Sequence, residues 1–137
     1  MATNALATKM KLKPGYSAAI VGAPANYLKE LSPLPAGVKV SADLKGKYDW
    51  LQVFVKTKAE IERMAPRAIL ALKPESILWI SFPKGSSRIQ TDLTRDKGWE
   101  ILHKADLKWI TLISVNETWS AFAMRPYKPG EAKQSFR

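Results

Sequence analysis

The chain has 137 residues, no cysteine and a formal charge of +10, from 22 Lys and Arg against 12 Asp and Glu. That length gives one domain with a real core, and the missing cysteines exclude a disulfide framework, a thiolate nucleophile and a Cys-ligated metal. No apolar run approaches the roughly 18–20 residues that cross a bilayer, and residues 1–8 lack the basic and apolar regions of a secretory signal, so a cytoplasmic protein without membrane association is expected.

Residues 1–13 are polar and basic (Lys9, Lys11, Lys13) and read as an N-terminal arm. Ser17–Gly22 is a short first strand. Pro24 suits the first position of a helix that carries Tyr27, Leu28 and Leu31 on one face and stops near Ser32-Pro33. Val38–Ser41 and Tyr48–Val55 read as strands. Thr57, with Glu60 three residues later, is a capping-box signature. It opens a helix in which Ile61, Met64, Ala68, Ile69 and Leu72 recur at helical spacing, with Pro66 expected to kink or split it.

Ile77–Phe82 is apolar at nearly every position and flanked by helical patterns, which marks a central strand of a sheet covered on both faces. A helix over Thr94–Ala105 and strands over Lys108–Val115 and Trp119–Met124 follow. Residues 14–125 then form a single α/β domain, and 126–137, with Pro126, Pro129 and Gly130, read as a flexible C-terminal tail. The order predicts a mostly parallel, Rossmann-like sheet with helices on both faces and an antiparallel last strand. The stretch between Ser41 and Tyr48 is too short for a helical crossover. Its two strands therefore either pair antiparallel or lie on opposite sides of the first strand.

In such a sheet ligands bind beyond the carboxyl ends of the strands. The segments that follow the strands, 22–26, 56–58, 83–96 and 116–118, should share that edge. The candidate cleft is Asn26, Lys84, Ser86, Ser87, Arg88, Asp92, Arg95 and Glu117. Lys84 and Arg88 supply charge, and Gly85 with two serines offers backbone N–H groups and hydroxyls for a phosphate or carboxylate. The bland reading of the same residues is a capped helix and internal salt bridges. His103 is the only histidine, so neither a standard zinc site nor a Ser-His-Asp triad can be assembled, and no catalytic residue or metal ligand is assigned.

Two likenesses add to this. Leu78–Lys84, Ser86-Ser87, Thr91–Asp96 and Glu117–Ser120 resemble motifs of an uncharacterised group of short bacterial proteins of unknown function. More distantly, Leu72-Lys73-Pro74-Glu75-Ser76-Ile77-Leu78 is similar to the Leu-Lys-Pro-Gly-Gly-x-Leu segment of class I S-adenosylmethionine-dependent methyltransferases, which also end in an antiparallel strand. That second resemblance implies a cofactor loop after the first strand and a ribose-holding carboxylate after the second. Here those positions carry Gly22-Ala23-Pro24, with one glycine, and Asp43.

The leading expectation is a non-catalytic, degenerate methyltransferase-like domain, without a cofactor, that binds an anionic small molecule or an acidic protein segment. A divergent methyltransferase-like transferase using Glu117 or Asp92 is one alternative. A basic nucleic-acid-associated protein is the other, less favoured because Lys29, Lys39, Lys45, Lys47, Lys73, Lys104 and Lys108 are spread along the chain. The residues are compatible with a monomer or a homodimer.

Overall fold

The computed structural model describes residues 5–84, 99–103 and 107–132. In chain order these form α1 (Ala5–Lys9), β1 (Ser17–Val21), α2 (Tyr27–Leu31), β2 (Lys39–Ser41), β3 (Tyr48–Phe54), α3 (Lys58–Leu70), β4 (Leu72–Pro83), α4 (Glu100–His103), β5 (Leu107–Ser114) and β6 (Trp119–Pro126). One six-stranded sheet runs in the order β2-β1-β3-β4-β6-β5. Strands β2, β1, β3 and β4 are parallel, and β6 is antiparallel to both β4 and β5. Five strands therefore point one way and β6 alone runs back. Of the two arrangements open to the 41–48 connection, the fold adopts the second: β2 and β3 flank β1.

The apolar runs are explained by burial on both faces. Along β3 and β4, Leu51, Val53, Leu78, Ile80 and Phe82 pack with α3 and α4 on one face, through Ile61, Ala65, Ala68 and Leu102. Trp50, Phe54, Ile77 and Trp79 alternate with them and pack on the other face against α1 and α2. Thr57 caps α3 as its sequence implies: its side chain accepts from Glu60 N at 3.1 Å, and Glu60 Oε1 accepts from Lys56 N at 2.7 Å.

Four expectations change. The supposed arm is part of the core: Ala7, Met10 and Leu12 are buried, and the Met10 carbonyl accepts the indole N–H of both Trp50 (2.8 Å) and Trp79 (3.0 Å). A segment that closes one face of the sheet cannot be a free extension.

Pro66 does not split α3, which runs unbroken from Lys58 to Leu70. Pro66 is exposed, so the carbonyl that loses its amide partner lies on the solvent side, while Ile61, Ala65 and Ala68 keep the packing face intact.

Leu72 opens β4 instead of closing the helix, paired with Tyr48.

Beyond β6, Glu131 takes hydrogen bonds from Arg125 and Lys108 at 2.8–2.9 Å, which ties this part of the expected tail to β5 and β6. Those bonds, Arg125 first, hold the Glu131 carboxyl well below the usual carboxylate range. Of the expected 94–105 helix, only residues 99–103 are among the described ones, and α4 covers Glu100–His103 of them. No helix among them is long and apolar enough to cross a membrane.

Candidate functional site

Because β1 to β5 share a direction, the segments after Val21, Ser41, Phe54, Pro83 and Ser114 meet at one edge of the sheet. Lys84 and Glu117 are neighbours there: Lys84 N donates to Thr118 O at 2.8 Å. Lys84 Nζ donates to Ser114 Oγ at 2.6 Å. Glu117 stands exposed at the tip of the β5–β6 turn, without an ion pair to Lys84. Asn26 is exposed at the start of α2, and its side chain makes no capping hydrogen bond. Ser86, Ser87, Arg88, Asp92 and Arg95 lie outside the described residues.

Asn116 organises this rim and was not singled out from the sequence. Its Oδ1 accepts from the backbone N–H groups of Thr118 and Trp119, both at 2.9 Å, and its Nδ2 donates to Glu30 Oε1 of α2 at 3.0 Å. The signal for it is the Asx-turn chemistry of an Asn that opens a tight turn. One residue thus shapes the β5–β6 turn and ties it to α2. Beneath it Trp119 packs edge-on against Phe54, and Phe54 against Tyr27, with ring centroids 5.0 and 4.7 Å apart.

The concave part of the edge lies to one side of this rim, between the exits of β1 and β2. It is a hollow of about 260 Å³, lined by Ala23, Pro24, Tyr27, Leu28, Val40 and Ser41 among others, and it is mostly apolar. Neither Lys84 nor Glu117 lines it. Its floor is fixed from below. Tyr27 Oη donates to Gln52 Oε1 at 2.7 Å, and Gln52 Nε2 donates to Ser81 Oγ at 2.9 Å, all within the core. Burial pushes the Tyr27 phenol well above its ordinary value, so it stays neutral.

Next in the chain after the lining residues Ser41 and Ala42, Asp43 Oδ1 accepts from Ser41 Oγ (3.2 Å) and Lys45 N (3.3 Å), which places an exposed carboxylate just past β2. Gly22 has φ +75°, and a Cβ there would come within 2.9 Å of Phe54 O. The glycine required after β1 therefore serves the close approach of this turn to β3.

No protein-family model matches the chain, and no curated protein matches it, so the likeness to the short bacterial proteins of unknown function gains no support. Solved structures do match. A ribosomal protein L11 methylase from Lactobacillus delbrueckii subsp. bulgaricus aligns with a TM-score of 0.59 and 13% identity, over 89% of this chain and 75% of that one. The B. subtilis M1A22 tRNA methyltransferase TrmK aligns at 0.51 and 13%, over 93% and 67%. A SAM-dependent methyltransferase from Aquifex aeolicus aligns at 0.52 and 18%, over 85% and 86%.

The fold is methyltransferase-like. At these identities the likeness establishes architecture, including the reversed β6 inserted between β4 and β5. It also overturns the leading expectation of a non-catalytic domain for an anion or acidic segment. The matching structures are methyl-transferring enzymes, and they favour the transferase alternative.

Proposed function

We propose that the protein is a small S-adenosylmethionine-dependent methyltransferase in which residues between the carboxyl ends of β1 and β2 would hold the nucleoside end of the cofactor. The observation that carries this is the apolar hollow at that edge of a methyltransferase-like sheet. The residues fit a nucleoside. Ala23, Pro24, Leu28 and Val40 offer apolar walls to a base, and the Ser41 hydroxyl and Asp43 carboxylate can take ribose hydroxyls by exchanging their mutual hydrogen bond. A volume of about 260 Å³ falls just below the roughly 300–1,000 Å³ of small-molecule sites. It suits part of the cofactor, with the rest lying outside the hollow.

When bound, S-adenosylmethionine supplies a sulfonium methyl group to an acceptor and is left as S-adenosylhomocysteine. The chain's own part is to hold and orient. The Tyr27–Gln52–Ser81 chain keeps the floor rigid. Asn26, Lys84 and Glu117 would form the rim towards the acceptor, and the exposed Glu117 carboxylate would receive the proton that the acceptor gives up. Isothermal titration with S-adenosylmethionine and S-adenosylhomocysteine tests this. Micromolar binding of both is expected, and no heat at several hundred micromolar ligand overturns it.

A further inference from the structure

The opposite edge of the sheet, where β1 and β3 begin, carries a different surface. Residues 42–47 return the chain from β2 to the start of β3, and Tyr48 N donates to Ala71 O at 2.8 Å, so this link and the end of α3 lie side by side. Between them is an open hollow of about 390 Å³ lined by Leu44, Lys45, Lys47, Arg67 and Leu70 among others, with no carboxylate among its described lining residues. Lys45, Lys47 and Arg67 are exposed, and among the described residues none of the three side chains has an ion-pair partner. Four other cations of the fold are ion-paired: Lys58 with Glu100, Lys73 with Asp49, and Lys108 and Arg125 with Glu131.

Three like charges around one hollow repel each other, and this self-repulsion opposes folding unless an anion relieves it. The C-terminal end of α3 contributes only about half a negative charge, too little to neutralise them. The hollow offers flexible side chains on an open surface, with Leu70 73% exposed beside them. That arrangement does not enclose one small anion. It suits the regularly spaced phosphates of a polymer, with Leu70 available to a sugar or base. A second hollow at the same edge, on the other face of the sheet, adds Lys11 and Lys13 beside Tyr16, with Glu75 as the one carboxylate among its described lining residues.

We infer that this edge is a nucleic-acid-binding surface on which Lys45, Lys47 and Arg67 neutralise backbone phosphates. The inference stands independently of the cofactor reading, since it concerns the opposite edge and its readout needs no cofactor.

Fluorescence anisotropy with labelled single-stranded RNA and DNA oligonucleotides between 50 and 200 mM salt tests it. Binding of either polymer, with log K falling linearly against log salt, is expected. The K45A/K47A/R67A variant should bind at least about tenfold more weakly at low salt, with a slope shallower by about 2, from roughly 0.7 per lost phosphate contact. A control of equal charge change, K29A/K58A/K128A, should keep the slope. Thermal melting of both variants checks folding, and the first should melt no lower than the parent because its repulsion is relieved. No binding, equal losses in the two variants, or preference for a polyglutamate peptide over both oligonucleotides overturns the inference.

Discussion

The Tyr27 hydroxyl donates to the Gln52 amide oxygen at 2.7 Å in a part of the core where the Gln52 side chain reaches no water. Gln52 passes the chain on to Ser81, so it is the central member of a polar row laid across the sheet beneath the proposed nucleoside hollow. Gln52→Ala removes both bonds at once, at about 1–3 kcal/mol each: it strands the buried Ser81 hydroxyl and leaves the Tyr27 hydroxyl only its long contact to Met10 Sδ at 3.6 Å. Tyr27→Phe leaves Gln52 bonded to Ser81 and should cost roughly half as much. Chemical denaturation of the two variants checks the ranking, and equal losses would show that the row is not centred on Gln52.

The same phenol gives a pH prediction. Burial raises the folded-state pKa of Tyr27 above its ordinary value of 10.0, with the nearby Glu30 adding in the same sense. A raised pKa means that the contribution to stability is whole below about pH 10 and is lost as pH rises beyond it. Of the four tyrosines, Tyr27 should resist ionisation until the chain unfolds in alkali. Absorbance at the phenolate band, followed beside far-ultraviolet circular dichroism, reads this directly. Tyr27→Phe should abolish the step that coincides with unfolding.

Deleting residues 1–13 removes Met10 and Leu12 from the core and takes away the carbonyl that both indoles use. Each apolar side chain contributes about 1.5–3 kcal/mol, and each stranded indole N–H costs a further ~1–3. A fall in melting temperature of at least ~10 °C is expected, if the truncated chain folds at all. An unchanged melting curve would mean that the segment is dispensable after all.

Asp43→Ala probes the proposed cofactor site. A carboxylate that accepts from a ribose hydroxyl is worth about 1.5–3 kcal/mol, so affinity for S-adenosylhomocysteine should fall roughly 10- to 100-fold. The Asp43 contacts in the present fold are local and exposed, so the melting temperature should barely move. Loss of affinity without loss of stability is the signature to look for by titration calorimetry.

Much of the architecture is legible in the residues, because burial writes itself into periodicity. The near-continuous apolar run of Ile77–Phe82 requires cover on both faces, and Thr57 with Glu60 carries its cap in the side chains themselves. Pro66 misleads because local propensity is blind to which carbonyl faces water. Residues 1–13 mislead because Lys9, Lys11 and Lys13 mask the buried Ala7, Met10 and Leu12, whose partners lie tens of residues away.

For the site, the convergence of Lys84 with the 116–118 turn follows once the strands share a direction. The hollow between β1 and β2, and the link of Asn116 to Glu30, do not. Each depends on where two distant segments halt relative to one another, a distance that no single segment encodes.

Residue type and spacing alone dictate which segments must be buried on two faces, and hence a layered α/β sheet, because the transfer of apolar surface from water depends on both. That β2 and β3 flank β1, that an apolar hollow opens beside the rim, and that Lys45, Lys47 and Arg67, without ion-pair partners among the described residues, meet at the far edge emerges only from the assembled fold. Those outcomes rest on long-range packing, in which the free energy belongs to pairs of segments brought together and not to either one alone.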